Sequence, residues 1–137
     1  MLDQSDLFRV GEILIATMAR SGATKWPSSR RAFAAAVKKL REAEPRNRLA
    51  AQFYITVGPA GPDSDEFREI LTLMHSATLI SYDSVETNWF NVRVGRRGAN
   101  VIVNRTQATD EELRAFTELL KEHWLIAVGH PLEEPPQ

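Results

Sequence analysis

The chain has 137 residues, 43% of them hydrophobic and 26% charged, with a formal net charge of -1 at pH 7. Such proportions exclude a disordered or low-complexity polypeptide and predict one domain able to bury its own core. Cys is absent, which rules out disulfides, thiolate metal or iron-sulfur sites and covalent cysteine chemistry. Residues 1–6 are acidic and polar where a secretory leader carries Lys or Arg, and Arg9 and Glu12 interrupt the apolar stretch that follows. The expectation is a cytoplasmic protein with no membrane span.

In chain order, Ser5 or Asp6 is placed to cap a first helix, with Leu7, Val10, Leu14 and Met18 on one face and Ile13 and Ile15 widening it. Ser21-Gly22 ends that helix, and Pro27 with Ser28 or Ser29 opens a second. In the second, Phe33, Ala36, Val37 and Leu40 form the apolar face, while Arg30, Arg31, Lys38 and Arg41 occupy the other. Pro45 stops it. Residues 49–57 fit either a strand, with Phe53, Ile55 and Val57 alternating, or a further helix begun at Leu49. Residues 58–62 hold two Pro and two Gly and read as a loop without ladder hydrogen bonds.

Asp63 or Ser64 then caps a third helix, with Phe67, Ile70, Leu71 and Met74 on one side and Asp65, Glu66, Glu69 and Thr72 on the other. Residues 79–83 and 89–94 alternate like strands across a polar turn at 84–88, and Gly95-Arg96-Arg97-Gly98 reads as a second turn leading into 99–104. The result is a small meander of two or three strands. Thr109-Asp110-Glu111-Glu112 is a capping box for a last helix bearing Leu113, Phe116, Leu120 and Trp124. Residues 1–128 are therefore expected to form a single domain, with 129–137 a loose Pro-rich tail. The fold class is α+β and winged-helix-like: helices, a small antiparallel meander, and a C-terminal helix.

The small net charge conceals segregation. Residues 20–48 carry nine basic side chains against Glu42 and Glu44, a net +7, whereas 63–87 and 109–137 each sum to -5. Arg93, Arg96, Arg97 and Arg105 form a second basic block with no acid among them. Such blocks attract nucleic-acid phosphates or an acidic protein face; the alternative is a solvated surface or internal docking of basic on acidic segments. The expected partner or nucleic-acid surface comprises Arg30, Arg31, Lys38, Arg41, Arg93, Arg96 and Arg97.

Gly61-Pro62-Asp63-Ser64-Asp65-Glu66-Phe67, followed by Leu71, Met74, Leu79-Ile80, a hairpin to Val94 and Gly98, resembles a known pattern. In it, a Gly-Pro-x-Ser turn starts a helix that ends in Gly-Leu-Ile and a wing. The pattern is that of SocA-like antitoxins and of the small middle components of ABC three-component bacterial defence systems. Residues 58–98 carry the resemblance, and Thr78 stands where the pattern has Gly. The resemblance implies a non-enzymatic partner subunit that binds a toxin, an ATPase or another effector.

Catalytic chemistry finds little support. His75, His123 and His130 are the only imidazoles, and no two fall on adjacent turns of one helix, so no metal site and no cofactor are expected. Arg68 and His75 loosely match the Arg/His signature of HEPN ribonucleases, a minor alternative, but that fold is all helical. Ser28 and Ser29 lack a His and Asp in a nucleophile setting, and no catalytic residue is assigned. The acids of the third helix oppose major-groove reading, because carboxylates near phosphate cost binding energy. The functional expectation is an adaptor subunit that binds a protein partner. A winged-helix DNA-binding protein is the alternative, and a homodimer joined by basic and acidic blocks is a third reading.

Overall fold

Asp3, not Ser5 or Asp6, begins the first helix: its carboxylate accepts from the Asp6 amide at 2.9 Å. The computed structural model describes residues 3–82 and 88–126. Helix α1 (Gln4–Ser21) is nearly enclosed, with Leu14, Ile15, Ala16 and Met18 fully buried, and Gly22 ends it in the left-handed region at φ +86°. A short strand β1 (Lys25–Pro27) follows, where a helix start was expected at Pro27. Pro27 fits there because this strand lies at an edge of its sheet and the Ser28 N–H next to it, which donates to Asn88 O, makes the cross-strand bond, so the missing Pro27 N–H costs none. Ser29 then caps α2 (Arg30–Ala43) through the Ala32 amide.

Residues 49–57 resolve the strand-or-helix alternative by dividing. Ala50–Gln52 is one 3-10 turn, Phe53 is extended, and Thr56–Gly58 is strand β2. Strand β2 pairs antiparallel with β3 (Gly61–Asp63), Val57 opposite Pro62 and Gly58 opposite Gly61. The expected loop at 58–62 is thus a tight hairpin. Gly61 at φ +104° supplies the reversal that L side chains resist, and Pro59-Ala60 needs no ladder bond because it is the turn itself.

Ser64 caps α3 (Asp65–Ser76) through the Phe67 amide at 3.2 Å. Strands β4 (Ile80–Tyr82) and β5 (Trp89–Val92) form the hairpin expected from their alternation, with Ile80 opposite Val92. Residues 84–87 of the expected turn and the tail 129–137 lie outside the described residues. Strand β5 is central, since β1 lies along its other edge with Trp26 opposite Phe90, giving an antiparallel sheet of order β1-β5-β4.

The segment after β5 corrects the sequence reading. Gly95 to Gly98 is no wing turn: Arg96 begins helix α4 (Arg96–Asn104), which occupies 99–104 where a third strand was expected. A β-branched run this short satisfies either period. Burial decides for the helix, because Ala99 and Val103, four apart, are the residues buried on it, and α4 lies against α1. The chain closes with α5 (Asp110–Leu120), whose Thr109/Glu112 capping box forms as expected, running into a π-helical turn over Lys121–Ile126.

Trp26, Phe33, Phe67, Phe90 and Trp124 meet in the centre, each with no exposed surface. Phe33 stacks on Phe67 at 4.3 Å, and Trp124 touches Trp26, Phe33 and Phe67 at 5.1, 5.1 and 5.5 Å. Helices α1 and α3 approach closely at Gly11, where a Cβ would lie 2.9 Å from Met74 Cε and 3.0 Å from Ile70 Cγ2.

The C-terminus of α3 is strained in an informative way. Leu79 N–H donates to Met74 O and Thr78 N–H to His75 O, which is the Schellman pattern, and it leaves Thr78 at φ +62°. A β-branched residue there works against roughly 1–2 kcal/mol of steric cost that Gly does not meet. Thr78→Gly is therefore expected to stabilise the protein by about 0.5–1 kcal/mol after the added freedom of the unfolded chain is subtracted. Thr78→Ala, which keeps the Cβ, should give no such gain. Urea melts of the three proteins make the comparison, and an unchanged midpoint for Thr78→Gly would show that the strain is absorbed elsewhere.

A polar brace joins the loop after α2 to the start of α5. Arg48 donates to Glu112 through Nη2 at 2.8 Å and Nε at 3.1–3.2 Å, the Arg48 and Thr109 amides donate to the same carboxylate, and Asn47 Nδ2 donates to Glu112 O. The Arg48 guanidinium, then the two amides, hold the Glu112 carboxyl down to about 2 from its usual 4.5. A carboxyl with a depressed folded pKa stabilises the fold above its unfolded value and loses that contribution as pH falls. The stability advantage of wild type over Glu112→Gln should therefore be full above 4.5 and vanish by about 2. Urea midpoints followed down the pH scale test this, and a difference independent of pH would refute it.

Candidate partner-binding surface

The expected basic surface does not present itself as one patch. Arg30 Nε lies 3.1 Å from Asp63 and its Nη1 3.5 Å from Asp65, so this side chain ties the start of α2 to β3 and α3. Lys38 pairs with Glu42 one turn on, at 2.9 Å. Arg41 is not a surface residue in the sense expected. It is half-buried and donates to the carbonyls of Ala50 and Phe53, and burial draws its pKa below the usual guanidinium value. The reason is local: in the 3-10 turn Ala50 O accepts only a long bond from the Phe53 N–H at 3.4 Å and Phe53 O lies past the turn, and Arg41 donates to both.

Arg31, Arg93, Arg96 and Arg97 are exposed, yet they stand apart. Ser28 N–H donates to Asn88 O at one end of the sheet, whereas Arg93 N–H donates to Leu79 O at the other. Three residue steps of strand separate the Pro27/Trp89 pair from Val92, roughly 10 Å. Arg31 thus belongs to the Ser28–Asn88 end, and Arg93, Arg96 and Arg97 to the other end of the hairpin and the start of α4.

At the Ser28–Asn88 end of the sheet the structure brings together residues that sequence spacing did not. An open cleft of about 460 Å³ runs between the start of α2, the outward side of α3 and β4. Ser28, Ser29, Arg30, Arg31, Arg68, Thr72 and Tyr82 line it, with the buried Phe67 and Leu71 beneath its floor. Arg68 was singled out by the sequence only as a partner of His75, and Tyr82 not at all, because only the packing of α3 against the hairpin brings them to the same cleft as Arg31. Tyr82 is half-buried, which pushes its phenol above the ordinary range, and the His75 ring meets it edge-on at 5.1 Å. Arg68 and His75 are seven residues apart on α3, about 10.5 Å along its axis.

The acidity of α3 is also less than its composition suggests. Glu66 is buried, and Asp63 and Asp65 face Arg30, which leaves Glu69 as the exposed α3 acid without an ion pair among the described residues. Elsewhere, Tyr54 and Val57 are 53% and 64% exposed beside and on the β2–β3 hairpin. No helix among the described residues is long and apolar enough to cross a membrane, and no cluster of three or more His, Asp or Glu among them could hold a metal ion. In comparisons with protein-family models, curated proteins and solved structures, nothing matches this chain.

Proposed function

We propose that this chain is a winged-helix adaptor: a non-enzymatic, cytoplasmic accessory subunit that binds a protein partner in a bacterial multi-component system, of the defence or toxin-antitoxin kind. The order helix, strand, helix, helix, hairpin, read with the small β2–β3 hairpin as an insertion between the second and third helices, and the first strand laid along β5, supports the winged-helix reading. So does the left-handed Thr78, at the position where the resembling pattern carries Gly.

One observation carries the preference for a protein partner. Four of the nine cations of the densest basic block, Arg30, Lys38, Arg41 and Arg48, are each engaged by a carboxylate or by backbone carbonyls rather than left free along one face. A track for nucleic-acid phosphates needs free, aligned cations, whose number sets both affinity and salt dependence. A protein interface needs only a mixed surface with a few unpaired charges, such as Arg31, Arg68 and Glu69 provide.

The test joins two measurements. Affinity purification of the full chain from its native cells should return a neighbour in fixed stoichiometry, and fluorescence titration against DNA duplexes at about 0.15 M salt should show weak binding without sequence preference. A preference of roughly a thousandfold for one duplex over scrambled sequence would replace the adaptor by a DNA reader. The near-neutral outward face of α3 favours that second reading. Under it, charge removal at Arg31 or Arg68 should each lower the salt slope by about 1.

A further inference from the structure

We infer that the cleft between α2, α3 and β4 receives an acidic side chain, Asp or Glu, carried between apolar neighbours on an extended segment of the partner protein. The inference rests on the adaptor reading and deepens it. Arg31 and Arg68 come from different helices, line the same cleft and have no ion-pair partner among the described residues. Arg30, next in the chain to Arg31, is by contrast held by Asp63 and Asp65. Of the three guanidiniums that line the cleft, those of Arg31 and Arg68 have no carboxylate of their own among the described residues, and a carboxylate suits the planar donor fork of Arg. Beside them, the half-buried Tyr82 ring at the β4 side and the edge of Leu71 give the residues flanking that carboxylate an apolar contact.

The rim of the cleft separates a peptide from a nucleic acid. Asp65 has a side chain 86% exposed despite its contact with Arg30, and Glu69 is exposed one residue beyond Arg68. A nucleic-acid strand brings a negative charge about every 3.4 Å, so a phosphate between the two arginines would set its neighbours against these carboxylates. A peptide with one carboxylate and apolar neighbours meets the arginines and leaves the rim acids in water.

Random-sequence peptides selected by display on the intact protein test the cleft directly, whatever the identity of the partner. The selected peptides should carry Asp or Glu beside apolar residues, and synthetic versions with Gln or Asn at that position should bind roughly tenfold more weakly or worse. Arg31→Glu with Arg68→Glu should cause a loss of the same order, as should the milder Arg31→Gln with Arg68→Gln, while Arg96→Glu with Arg97→Glu should leave binding unchanged. Melting curves of each variant confirm that the fold is kept. Selected peptides lacking an acid, or acidic peptides indifferent to the Arg31 and Arg68 substitutions, would overturn the cleft assignment and leave the adaptor reading standing. No selected peptide at all, together with a mixed-sequence duplex that binds through Arg31 and Arg68, would overturn both.

Discussion

Trp124→Ala should cost about 3–5 kcal/mol, enough to remove a third or more of the stability of a domain this size. Trp124 is fully buried at the hub of the aromatic cluster and touches rings from β1, α2, α3 and β5. Its truncation therefore opens a cavity bordered by four elements that cannot all collapse inward together. One term opposes the loss: Trp124 Nε1 is buried without a hydrogen-bond partner among the described residues, an unmet donor that costs the wild-type protein stability. Trp124→Phe removes that donor and keeps most of the ring contacts, and its cost should stay below about 1.5 kcal/mol. Urea unfolding of both variants checks the pair. Near-equal losses would mean that the indole nitrogen, rather than ring volume, governs this position.

Phe33→Ala is the second large effect, also about 3–5 kcal/mol. Phe33 lies parallel to Phe67 at 4.3 Å and edge-on to Phe53 and Trp124 at 5.3 and 5.1 Å, so it joins α2 to α3, to the extended segment after the 3-10 turn, and to the C-terminal turn. Because Phe33 and Trp124 share a wall, their losses should not add. In the Phe33→Ala/Trp124→Ala double variant, the two deletions empty one void, and the summed single losses should exceed the measured one by roughly 0.5–3 kcal/mol. Strict additivity would place the two rings in separately relaxing parts of the core.

The outline of the α+β fold was legible along the chain wherever a local rule had a single solution. Periodic apolar residues marked α1, α2, α3 and α5, Ser64 and the Thr109/Glu112 box marked two helix starts, and strict alternation marked the β4–β5 hairpin. The core aromatics of α2, α3 and the C-terminal turn followed from the same periods, and even the exception at Thr78 lay at a position the resembling pattern singles out. Where a segment was short, local preference was degenerate. Residues 99–104 fit a strand or a helix until α1 supplied the surface on which Ala99 and Val103 are buried together. Residues 25–27 were too few to show any period, and they became a strand only because β5 presented an unpaired edge. The site depended on tertiary structure almost entirely. Composition marked residues 20–48 as basic, but which cations remain available was decided by distant partners: Asp63 and Asp65 for Arg30, the 3-10 turn for Arg41, and Glu112, 64 residues away, for Arg48. Charge is countable in one dimension, but its neutralisation is a matter of a few ångströms in three, and Arg31 and Arg68, without an ion pair among the described residues, come to line one cleft only once α2, α3 and the hairpin have packed.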